Sequence, residues 1–139
     1  MNMKVFLSYA RPDQRVANRL ASSLRNAGLT VWDPEREILP GDNWAVKLGR
    51  ALDRSNAMVV ILSPDAIESQ AVRKEIEYAL ASPRFRGRLI PVLARPTRKI
   101  PWILKEMPIV QLKQLDTTEV GDRIAGLLKE SQVTATAAQ

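Results

Sequence analysis

The first apolar run of the chain, Lys4–Ser8, closes on Ser8-Tyr9-Ala10-Arg11, and the longest one, Ala57 to Leu62, closes on Ser63-Pro64. A glutamate, Glu75, stands in a helical pattern with Ala71 and Ala79 four positions to either side. These hydroxyls, one guanidinium and one carboxylate are the groups whose type and place suit chemistry, because histidine and cysteine are both absent. Their absence excludes Ser-His-Asp and Cys-His catalysis, disulfides, thiolate metal sites and the commonest zinc ligand, and no metal site is expected. Any catalysis must rest on carboxylates, hydroxyls, lysine, arginine or backbone groups. From spacing alone, Glu75 reads as a surface glutamate of an ordinary helix.

The elements that hold these residues alternate along the chain. Lys4–Ser8 is continuous and apolar, as expected of a strand buried on both faces. Pro12-Asp13 opens a helix with Val16, Leu20, Leu24 and Ala27 on one side, and Gly28 stops it. Leu29–Trp32 is a short second strand, followed by a charged loop from Asp33 to Gly41 that ends in Pro40-Gly41. Asp42 is expected to cap a helix whose Ala45, Leu48 and Leu52 face inward. Ala57–Leu62 is the clearest strand, and an irregular stretch leads to a helix from about Gln70 to Ala81 burying Val72, Ile76, Ala79 and Leu80. Arg88–Leu93 and the weaker Ile109–Leu112 are strands four and five. Thr117 or Thr118 caps a last helix with Val120, Ile124, Leu127 and Leu128 inside. Residues 1–130 are expected to form one domain, with 131–139 a flexible tail or the start of a linker.

This alternation predicts a three-layer α/β/α sandwich with a five-stranded parallel sheet in the flavodoxin-like order 2-1-3-4-5. Ligands of such sheets bind beyond the carboxyl ends of the strands where the winding reverses, here between strands one and three. Ser8, Tyr9, Ala10, Arg11, Ser63 and Pro64 fall at that crevice. A phosphoacceptor site would need acids there, and a dinucleotide fingerprint or P-loop a glycine-rich turn; neither pattern is present. The early polar residue Ser8 leaves no room for a signal-peptide core, and no apolar run approaches a membrane span, so a cytoplasmic protein without a membrane partner is expected. The net charge of +6 comes from 21 basic and 15 acidic residues, with Arg84, Arg86, Arg88, Arg95, Arg98 and Lys99 in a stretch free of acids. Only Phe85 could stack on a base there and no nucleic-acid motif is present, so this stretch reads as a solvated loop flanking a strand.

Several motifs in order resemble the Toll/interleukin receptor (TIR) domain family, over about residues 4–130. Val5-Phe6-Leu7-Ser8-Tyr9 is similar to the family's first box, and Gly28 to Asp33 to its second strand. Glu35, Arg36, Glu37, Ile38, Leu39, Pro40 and Gly41 resemble the family's long BB loop. Val59 to Pro64 resembles the third strand, Ile90-Pro91-Val92 the fourth, and Ile100-Pro101 the late Leu-Pro. Ser69 to Ile76 is similar to the family's Ser-x-Trp-Val-x-x-Glu-Leu segment, with Ala71 where the tryptophan usually stands.

The resemblance implies an enzyme that cleaves the nicotinamide–ribose bond of NAD, taken as substrate with no further cofactor. A pyridinium leaves as a neutral base and needs no general acid, whereas an alkoxide leaving group calls for two carboxylates. One carboxylate stabilising the oxocarbenium-like charge suffices, and the resemblance assigns that role to Glu75, at a solvent-accessible position within a cleft. It also implies that Ser8, Tyr9, Ala10, Arg11, Asp33, Trp44, Ser63 and Ala71 line the substrate site, with Trp32 in the core. The Glu35–Gly41 loop is implied to meet other TIR domains, in a homo-oligomer or filament within prokaryotic antiphage defence, alongside a sensor domain or protein. A non-catalytic TIR scaffold and a deoxyribosyltransferase-like enzyme are the alternatives: Glu75 favours an enzyme, Ala71 a scaffold, and the Phe6–Tyr9 box argues against the transferase.

Overall fold

The computed structural model describes residues 3–112 and 117–137. Five parallel strands, β1 (Lys4–Ser8), β2 (Thr30–Trp32), β3 (Ala57–Leu62), β4 (Leu89–Leu93) and β5 (Val110–Gln111), form one sheet in the order β2-β1-β3-β4-β5. The expected order and parallel sense are both observed, and the short strands lose one or two residues at their ends. Helix α1 (Gln14–Asn26) follows a 3-10 turn at Arg11–Asp13. The remaining helices are α2 (Pro34–Glu37), α3 (Trp44–Arg54), α4 (Pro64–Glu68), α5 (Gln70–Ala81), α6 (Trp102–Lys105) and α7 (Thr117–Ala137).

Alternation along β3 decides which layer each side chain enters. Ala57, Val59 and Ile61 join Val5 and Leu7 of β1 beneath α1 and α7, where Leu20, Leu24, Val120, Ile124 and Leu128 close the first core. Met58, Val60 and Leu62 join Phe6 on the other face, against Ala51 and Leu52 of α3 and Val72, Ile76 and Ala79 of α5. Trp32, expected in the core, is partly buried there and stacks on Phe6 with ring centroids 5.2 Å apart.

Several expectations are corrected. Asp42 does not cap α3: Asn43 does, its side chain accepting from the Val46 amide at 3.2 Å. Asp42 instead accepts from the Leu39 amide at 2.7 Å. The Asp33–Gly41 loop contains the short helix α2, because Asp33 caps it and Pro34 suits its first position. The irregular stretch after β3 contains α4, capped by Ser63. Ala45 is exposed, since α3 buries only a narrow stripe, and Leu80 is exposed at the rim of α5. Helix α7 starts at Thr117, so its capping residue lies outside the described residues, and it continues beyond Ser131 to Ala137.

Helix α7 packs on α1 through Gly121. Its amide donates to Ser23 Oγ at 2.9 Å, and a Cβ added there would lie 2.4 Å from the Ser23 carbonyl oxygen. Gly126, on the same helix, has open space around it. Gly121→Ala is expected to cost about 1–3 kcal/mol through overpacking. Gly126→Ala is expected to stabilise by up to about 1 kcal/mol through helix propensity. Paired thermal melts should move in opposite directions; equal shifts would mean that the α1–α7 contact does not depend on the missing side chain.

Candidate active site

The hydroxyl of Ser8 comes to its place through β1. Ser8 has the same strand parity as Phe6, which faces the α3–α5 layer, and pairs beside Val60 of β3. Helix α5 turns Val72, Ile76 and Ala79 onto that face, and Glu75 lies between them in the helical stripe. Ser69 starts the helix by accepting from the Val72 amide at 3.2 Å, which fixes its register over the sheet. As a result Ser8 Oγ donates to Glu75 Oε1 at 2.6 Å, across 67 residues of sequence.

Glu75 is only 8% exposed, which corrects the expectation of a solvent-accessible position. Burial disfavours its charged form and pushes the carboxyl up to about 7, while the Ser8 hydrogen bond works in the opposite direction. A carboxyl poised near neutrality by burial is a functional-site candidate on physical grounds. Glu77, two positions on, is exposed.

Two clasps flank this pair at the carboxyl end of the sheet. Tyr9 packs against the α1–α7 core and donates its hydroxyl to Asp33 at 2.6 Å, joining the ends of β1 and β2. Burial, followed by the bond to Asp33, holds the phenol well above its usual range, so Tyr9 stays a donor. Asp33 also accepts from the Glu35 amide at 3.1 Å and thereby anchors the loop that follows. On the other side, buried Asp13 accepts from Ser63 Oγ and from Arg95 at 3.0 Å, and Arg95 reaches Asp65 at 2.6 Å. Ser63 accepts from the Ala66 amide at 3.0 Å in turn.

The expected residues therefore separate. Ser8 and Glu75 are in direct contact; Tyr9 with Asp33, and Ser63 with Asp13, hold the loops on either side. Ala10 is buried, and Arg11 reaches out to Glu35 at 3.9 Å. Trp44 and Ala71 are exposed, so the position of the usual tryptophan carries no buried packing. Asp13, Asp65 and Arg95 were not among the expected site residues. Their contacts span 30 to 82 residues of sequence, and local spacing carries no signal for them. The basic stretch is partly structural: Arg84 donates to the Leu52 carbonyl at 3.0 Å, Arg95 is paired, and Phe85 is buried out of reach of any base.

In the BB-like loop, Gly41 adopts φ +90°, which a type II turn demands after Pro40, and the Asp42 amide closes it on the Leu39 carbonyl at 3.0 Å. The turn holds Leu39 out at 61% exposure.

A doubly wound five-stranded parallel sheet with a buried Ser–Glu pair at the switch point defines the class of fold and site. The family model for the TIR domain matches residues 5–128, and the chain belongs to that family. A curated relative from Bacteroides thetaiotaomicron, 2' cyclic ADP-D-ribose synthase BtTIR, is 32% identical over 77 residues. That match takes in 55% of this chain and 27% of the relative, so the chain spans little more than a quarter of that protein. The TIR domain of the Toll-related receptor TRR-2 from Hydra magnipapillata superposes with a TM-score of 0.72 at 28% identity, over 91% of this chain and 95% of that one. A metazoan TIR-STING receptor from C. gigas shares the fold, with a TM-score of 0.72 at 23% identity, over 87% of this chain and 38% of that one. Among the described residues no helix is long and apolar enough to cross a membrane.

Proposed function

We propose that this TIR domain cleaves the nicotinamide–ribose bond of NAD, with Glu75 as the catalytic carboxylate. The observation that carries the proposal is the buried Ser8–Glu75 pair at the carboxyl end of the sheet. The name of the Bacteroides relative, a cyclic ADP-ribose synthase, supports the same reaction class. The C1'–N bond breaks with its electron pair passing to the pyridinium nitrogen, so nicotinamide leaves neutral. The ionised Glu75 opposes the positive charge developing on the ribose. Water then adds to C1' and releases a proton, giving ADP-ribose; capture by a nucleophile within the same ADP-ribosyl group gives a cyclic product instead. Ser8 is a positioning residue that holds the carboxylate. Arg11, Trp44 and Ala71, at the surface beside these elements, are the proposed contacts for the rest of the substrate.

Because Glu75 acts ionised, kcat/KM is expected to rise with pH through about 7. Ser8→Ala removes the bond that favours the charged form, so the midpoint should move to higher pH. A purely structural Ser8 would lower the rate without moving the profile, and the pH dependence of the two proteins separates the cases.

The domain is further proposed to act in the cytoplasm as an effector of prokaryotic antiphage defence, coupled to a sensor domain or protein. Assembly through the Glu35–Gly41 loop activates it: the loop presents Leu39 to solvent, and a second TIR domain meeting it excludes water from the site. Specific activity should rise with protein concentration, or on fusion to an oligomer. Activity that stays flat while light scattering shows a monomer throughout would refute the assembly requirement. A second reading, a scaffold without catalysis, is favoured by Ala71 alone, and an NAD assay on the assembled protein decides between them.

A further inference from the structure

An open groove of about 410 Å³ runs beside the edge strand β2, between β2 and helix α3. Lys4 enters it from β1, while Lys47, Arg50 and Arg54 enter it from α3 at helical spacing, and Glu37 is the one acid on its wall among the described residues. Lys47 is engaged, with Asp42 at 2.8 Å and the Glu37 carbonyl at 3.3 Å. Arg50 and Arg54 are exposed and have no acidic partner among the described residues. Like charges one turn apart on a helix repel, and only Arg54, in the last turn of α3, gains from the negative end of the helix dipole.

We propose that the groove binds a nucleotide carrying a diphosphate. Two guanidiniums one helical turn apart can each fork onto one of two neighbouring phosphates. Thr30 supplies a hydroxyl and Trp32 an apolar wall beside the cations, which suits a sugar and a base. The volume lies within the range of small-molecule sites and is concave, unlike the long open track that a nucleic acid backbone needs. A diphosphate that recruits Lys47 takes it from Asp42 and from the Glu37 carbonyl, and so acts on the base of the Glu35–Gly41 loop. The site is separate from Ser8 and Glu75, and the proposal does not depend on NAD cleavage.

The test is isothermal titration of the purified protein with ADP and, separately, with inorganic pyrophosphate, which distinguish nucleotide from bare diphosphate recognition. Arg50→Ala and Arg54→Ala should each weaken ADP binding about tenfold, and the double variant about a hundredfold, as expected for lost charge-assisted hydrogen bonds. Arg19→Ala, an exposed cation on α1, should leave it unchanged. Unaltered thermal midpoints establish that the variants fold. Pyrophosphate binding as tight as ADP, sensitive to the same variants, would keep the diphosphate site and remove the nucleotide from the proposal. Absence of binding by either probe at millimolar concentration, or binding indifferent to the double variant, overturns it.

Discussion

Glu75→Gln should reduce NAD turnover by a factor on the order of a hundred to a thousand, the usual loss when one preorganised electrostatic contact is removed. The same change should not weaken the fold. The Glu75 carboxyl ionises at about 7 in the folded chain, against an ordinary value of 4.5. Between these two values the unfolded chain releases a proton that the folded chain retains, so stability falls as pH rises through that window. The full penalty, on the order of 3 kcal/mol, is present above about pH 7 and absent below about pH 4.5. Glutamine carries no such penalty, so the variant should melt higher than the wild type at about pH 8 and alike at about pH 4.5. The exposed Glu77→Gln should alter neither rate nor melting. A variant with less activity but more stability is the mark of a carboxylate kept buried for chemistry.

Asp13→Ala should destabilise the chain by about 2–3 kcal/mol. Breaking a buried charge pair costs about 3–5 kcal/mol, and the exposed half of Arg95 can return to water, which lowers the figure. Ser63 loses its acceptor at the same time, and with it the loops after β1, β3 and β4 lose their common tie. Ser63→Ala should cost less, about 1–2 kcal/mol, because Asp13 then keeps Arg95 although α4 loses its cap. Chemical denaturation of the two variants measures the difference. Equal costs would show that the guanidinium contributes nothing to holding Asp13.

The layered fold was legible because burial on both faces gives β1, β3 and β4 uninterrupted apolar runs, and amphipathic stripes mark α1, α5 and α7. Short elements were not legible. Helix α2 depends on the Asp33 cap and α4 on the Ser63 cap, and four or five residues are too few to show a helical period. The swap of Asp42 for Asn43 as cap is a one-residue matter that turns on the reciprocal bonds of the Leu39–Asp42 turn. Within the site, the resemblance singled out Ser8 and Glu75, yet spacing alone could not show that they touch or that Glu75 is buried. Those facts come from strand parity on one side and helix register on the other. The Asp13–Arg95 tie lay beyond reach for the same reason: each partner looks like a surface charge until the loops meet.

The most direct measurement is incubation of the concentrated, oligomer-fused protein with NAD at about pH 8, with the products separated by chromatography. The account predicts one nicotinamide released for each NAD consumed, together with linear or cyclic ADP-ribose, and almost none from the Glu75→Gln variant. NAD left intact by the assembled wild type, or consumed equally fast by Glu75→Gln, would contradict it.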